Sequence, residues 1–91
     1  MITDVARQSL AFSDRLLNSW LPGGTVCNGE YVVKNPKRED KRAGSFRINL
    51  QTGRWADFAC AGAKGGDLVS LYAYLNDLSQ YEAAQVVRTF I

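Results

Sequence analysis

Ser45-Phe46-Arg47-Ile48-Asn49-Leu50 alternates polar and apolar residues without a break. A period of two is the mark of a β-strand with one face turned to a core. Phe46, Ile48 and Leu50 then share the buried face, and Ser45, Arg47 and Asn49 the other. Gln51-Thr52-Gly53-Arg54 has turn chemistry, so Trp55-Ala56-Asp57-Phe58 reads as a short return strand. Phe46 and Phe58 are expected in the core. The return run is too short to phase, which leaves Trp55 open between core and surface.

Outward toward the N-terminus, Thr25-Val26-Cys27 and Glu30-Tyr31-Val32-Val33-Lys34 flank the pair Asn28-Gly29. Asn-Gly between β-prone runs signals a type I′ hairpin, whose two central residues need positive φ. Asn35-Pro36 ends the second strand, because proline has no N–H for a ladder. Asp4 to Trp20 reads as one helix capped by Thr3 or Asp4, with Val5, Phe12, Leu16 and Trp20 near helical spacing. Leu21-Pro22-Gly23-Gly24 stops it. Toward the C-terminus, Ala61 to Gly66 is a loop of small residues. Asp67 can cap a helix that places Leu68, Leu71, Tyr72 and Leu75 at i, i+3, i+4 and i+7. Ser79-Gln80-Tyr81-Glu82 fits a capping box, and Ala83, Val86, Val87 and Phe90 follow it. The order is helix, two β-hairpins, two helices. It implies an α+β fold with an antiparallel sheet, one face covered by the helix that starts at Asp67.

The chain has 91 residues, 46% hydrophobic and 22% charged, which suits one folded domain over residues 1–91. No apolar run approaches a membrane span. Met1 to Ser9 lacks the basic start and apolar block of a secretion signal. The two cysteines are therefore expected as free thiols in a reducing cytoplasm. The absence of histidine rules out a Ser-His-Asp triad and a Cys-His pair. Asp57 and Asp67 are too few for a two-metal site. No enzyme activity and no cofactor are expected of this domain. The apolar end Phe90-Ile91 reads as a cut through a longer protein, or as a helix end packed on the same core.

Charge is unevenly spread. Lys34, Lys37, Arg38, Lys41, Arg42, Arg47 and Arg54 stand against only Glu39 and Asp40 between positions 34 and 54. That is +5 in a chain whose net charge is +2. Such a patch suits a polyanion, because neutralising phosphates releases counterions. Lys37, Arg38, Lys41 and Arg42, in a loop without apolar anchors, together with Arg47 and Arg54 beside the hairpin, are the candidate backbone contacts. Trp55 is a candidate stacking platform for a base. The alternative is a solvated loop whose acids pair with the bases around them. Ala63-Lys64-Gly65-Gly66-Asp67 lacks the order of a phosphate loop and reads as a turn plus N-cap, although Lys64 can add to the basic face.

Gly44-Ser45-Phe46-Arg47-Ile48-Asn49, the turn at Thr52-Gly53, the aromatic strand Trp55 to Phe58, and Gly65-Gly66-Asp67-Leu68 opening a helix with Tyr72 resemble a known family. It is the N-terminal zinc-ribbon domain of bacterial-type DNA primases. From Glu30 through Asp67 the chain looks closest to the zinc-less version at the front of primase–helicase proteins of phages and mobile elements. The likeness spans roughly Gly29 to Leu78. It departs where that ribbon carries ligands: Lys34 to Gly44 holds neither Cys nor His, and Cys60 alone lies before Gly-Gly-Asp. No metal is expected, so apolar packing must hold a zinc-ribbon-like sheet together. The resemblance implies a non-catalytic domain that binds single-stranded DNA template and serves the catalytic primase or helicase domain of a parent chain in replication. The alternative is a protein-docking module that lost DNA binding along with zinc.

Overall fold

The computed structural model describes residues 2–38 and 44–91. Among them the chain forms α1 (Ile2–Leu10), α2 (Ser13–Trp20), β1 (Thr25–Cys27), β2 (Glu30–Val33), β3 (Phe46–Asn49), β4 (Trp55–Asp57), β5 (Lys64–Gly65), α3 (Leu68–Asn76) and α4 (Gln80–Arg88). The fold is α+β, and the strands make one antiparallel sheet in the order β1-β2-β3-β4-β5.

The sheet is a continuous meander, where the sequence suggested two hairpins. β2 pairs with β3 through Tyr31 opposite Ile48 and Val33 opposite Phe46. β5, expected to be loop, pairs with β4 through Trp55 opposite Gly65 and Ala56 opposite Lys64. Asn28 and Gly29 both take positive φ, 52° and 78°, as the tight turn between β1 and β2 demands.

One helix was expected over Asp4–Trp20; two are found. The Ser9 hydroxyl is buried and donates to the Ala6 carbonyl at 2.6 Å. The next turn tightens, with Ala11 N–H bonded to Gln8 and Phe12 N–H to Ser9. The break lets the two halves serve different cores. Val5 and Ala6 of α1 pack with Val69 of α3 and Ala83, Ala84 and Val87 of α4. Leu16 and Leu17 of α2 pack with Phe46, Ile48, Leu68 and Leu71 against the inner sheet face. α3 lies between the two clusters, which explains why Leu68, Val69, Leu71 and Ala73 are all buried.

Of the three helix starts read from sequence, those at Asp67 and Ser79 carry capping boxes, whereas α1 already begins at Ile2, so Thr3 and Asp4 lie inside it rather than at its cap. Asp67 accepts from the Ser70 amide, and Ser79 accepts from the Glu82 amide. The Ser79 backbone amide holds the Glu82 carboxyl below its usual pKa. No helix among the described residues is long and apolar enough to cross a membrane.

The structure settles the phase of β4, which the sequence left open, and corrects the place of Phe58. Trp55 faces inward opposite Ile48, is 5% exposed, and donates its indole N–H to Ser70 Oγ at 2.9 Å. Strand alternation then sends Phe58 outward, and it is 77% exposed where the core was expected. Trp55 therefore has no free ring face to offer a base.

Candidate nucleic-acid interface

The helices cover the sheet face that carries Tyr31, Phe46, Ile48 and Trp55. The opposite face is organised by register. Val32, Arg47, Ala56 and Lys64 form one row across β2 to β5. One step along, Glu30 faces Asn49, whose amide donates to the Arg54 carbonyl at 2.7 Å. One step the other way, the Phe58 amide donates to the Ser45 carbonyl at 2.9 Å, so pairing continues past β4. Arg54, Ala56 and Phe58 thus stand on one outward line, every second residue of the strand.

Ala56 is small, and its row neighbours are long. The result is a shallow concavity of about 810 Å³, with Ala56 among its lining and Arg47, Arg54, Lys64 and Phe58 around it. Glu30 of β2 and Asn49 of β3, which face each other, complete this end of the lining. Arg54, Phe58 and Lys64 are exposed. Among the described residues neither Arg54 nor Lys64 has an acidic partner. Arg47 is held: its Nη1 lies 3.2 Å from Glu30 Oε1, and its Nε donates to the Gly44 carbonyl at 3.0 Å. Three cations against one carboxylate leave the concavity positive.

The cations of the preceding loop are placed differently. Lys37 forms an ion pair with Asp77, donates to the Tyr74 carbonyl at 2.7 Å, and sits 4.8 Å from the centre of the Tyr74 ring. Arg38 Nη1 donates to both oxygens of Asp57, at 3.0 and 2.9 Å. The Asp57 side chain is fully buried and also accepts from Asn35 Nδ2 and the Ala59 amide. Burial pushes its pKa up, but hydrogen bonds from Asn35, Ala59, Arg38 and Ser45 outweigh that and bring it to about 2. Lys37 and Arg38 thus fasten the loop to α3 and β4 rather than extending the open face. Lys41 and Arg42 lie outside the described residues.

The structure brings together Arg47 and Arg54 of the expected set; Trp55 also borders the concavity, but it is buried and offers no stacking platform. The structure adds Phe58, Ala56 and Glu30, which the sequence reading missed, and gives Lys64 a place in a row. The signal was present in one form: with Trp55 inward, a period of two fixes Phe58 outward. Cys27 and Cys60 are free thiols, and no group of three or more potential metal ligands stands together among the described residues. The chain matches no family model, no curated protein and no solved structure.

Proposed function

We propose that this chain is a non-catalytic domain that binds single-stranded DNA across the open face of its sheet. The observation that carries the reading is Phe58, 77% exposed, on the same face as Arg47, Arg54 and Lys64. A bare aromatic ring among cations suits a single strand. Its unpaired bases can stack on the ring, at roughly 1–3 kcal/mol per base, while its phosphates meet the cations. A duplex hides its base faces and gains only the second term. Phe58 takes the platform role first considered for Trp55.

Lys41 and Arg42 extend the same reading. They enter it as backbone contacts on the charge pattern of the sequence alone. The replicative setting, a primase or primase–helicase of a phage or mobile element acting on template, rests on the sequence resemblance alone.

Fluorescence anisotropy with a labelled single-stranded oligonucleotide tests the proposal. Contacts to about 3–5 phosphates should give a slope of log K against log salt of roughly −2 to −3.5. The double reversal Arg54→Glu, Lys64→Glu should abolish binding while the fold persists. No binding at low salt and high protein concentration would end the reading. The internal pairing of Lys37 and Arg38 favours one second reading, a protein-docking module for a catalytic or helicase domain. A partner retained by the doubly reversed variant, with DNA binding absent throughout, would select it.

A further inference from the structure

Glu30 is the one acid lining the concavity among the described residues. A carboxylate there opposes the binding of phosphate, so its place needs a reason. We infer that Glu30 is a positioning residue: it holds Arg47 in a resting ion pair, and a phosphate of the bound strand takes Arg47 over from it. This rests on the single-strand reading above.

The geometry supports an exchange. Arg47 of β3 has two tethers, the Gly44 carbonyl on the approach to its own strand at 3.0 Å and Glu30 Oε1 of the neighbouring β2 at 3.2 Å. Together they keep the long side chain extended over the sheet. The Arg47 and Glu30 side chains are 37% and 33% exposed, so water and salt screen their attraction. Pairs of that kind are weak and are broken easily. A phosphate offers the guanidinium a geometry at least as good as a carboxylate does, with two parallel N–H···O bonds. Arg54 and Lys64, which have no acidic partner among the described residues, make the first contacts, and Arg47 follows by exchange. Glu30 thereby lowers affinity and keeps the complex reversible, while Arg47 is already extended on the face the strand will cross.

The test is a mutant cycle read by anisotropy with a labelled oligo-thymidine. Glu30→Gln keeps the shape and removes the charge. It should bind roughly three- to ten-fold more tightly at low salt. Its salt slope should match the parent's, because Arg47 meets one phosphate in both chains. Glu30→Ala should repeat both results, which guards against an effect of the new amide. In an Arg47→Ala background the same substitution should gain little, because the effect runs through Arg47. If the parent chain binds and Glu30→Gln binds no better, the inference falls and the single-strand reading stands. A gain that persists without Arg47 also overturns it, since bulk charge would then suffice. If the parent chain does not bind, both fall together.

Discussion

Trp55 and Phe58 stand three residues apart on one extended segment, and their rings face opposite sides of the sheet. The indole is 5% exposed and the phenyl ring 77%. An odd separation on a strand guarantees the opposition. What selects the phase is the indole N–H, which is buried against Ser70 Oγ, while a phenyl ring carries no donor to satisfy.

That division separates stability from binding. Phe58→Ala should change unfolding stability by no more than about 0.5 kcal/mol, because the ring packs on little. It should weaken single-strand binding by roughly 1–3 kcal/mol, about five- to 150-fold. Trp55→Ala should do the reverse and cost roughly 3–5 kcal/mol of stability. Urea unfolding and anisotropy on the same two variants check the division; a Phe58→Ala chain that binds as the parent does would refute it.

Arg38 should matter more to the fold than to the ligand. Its loss leaves the Asp57 carboxylate buried without its counter-charge, although Asn35 Nδ2 and the Ala59 amide still donate to it. Arg38→Ala should destabilise by roughly 2–4 kcal/mol, the lower side of what breaking a buried pair costs, since Arg38 is 32% exposed. Below the denaturation range, the oligonucleotide affinity of this variant should fall far less than that of Arg54→Glu.

The fold was legible wherever local chemistry decides. Asn28-Gly29 dictates its turn, Asp67 and Ser79 cap their helices, and the alternation from Phe46 to Ile48 shows which way β3 faces. The rest depended on contacts distant in sequence. β5 is two residues long and owes its strand character to β4 alongside. The break between α1 and α2 follows from two cores lying on different sides of α3, which no periodicity in Asp4–Trp20 records. The candidate site was half legible for the same reason. Charge counting finds Lys37 and Arg38, but not Asp77 or Asp57, 40 and 19 residues away, which engage them. Phe58 resembles a core residue until Trp55 has been phased.

Acid should weaken the fold through Asp57. Its folded pKa, about 2, lies below the usual 3.8. Ionised Asp57 therefore favours the folded state above about pH 4, and that contribution disappears as pH falls from about 4 to 2. The loss is roughly 2 kcal/mol. Asp57→Asn should be less stable than the parent at neutral pH and should lose this part of the acid sensitivity. Urea midpoints measured across pH 2 to 6 check both; parallel curves for the two chains would assign the acid lability to other carboxylates.

Gly65 should tolerate no side chain. It lies opposite Trp55 in β5, and a Cβ built there would come within 2.3 Å of Ser70 Oγ and 2.5 Å of Trp55 Nε1. Those two atoms form the hydrogen bond that seats the indole, and Ser70 also belongs to the capping box of α3. Relief requires the strand to move away from α3 or the hydrogen bond to break. Gly65→Ala should cost roughly 1–3 kcal/mol, and the indole should become more accessible. The adjacent Gly66 has nothing within 4 Å of such a Cβ, so Gly66→Ala is the control and should stay near the parent in stability. Thermal melts and the tryptophan emission maximum separate the cases: a red shift and a lower midpoint are expected for position 65 alone. Equal behaviour of the two variants would mean that β5 does not press on Trp55, and the phase that exposes Phe58 would lose its support.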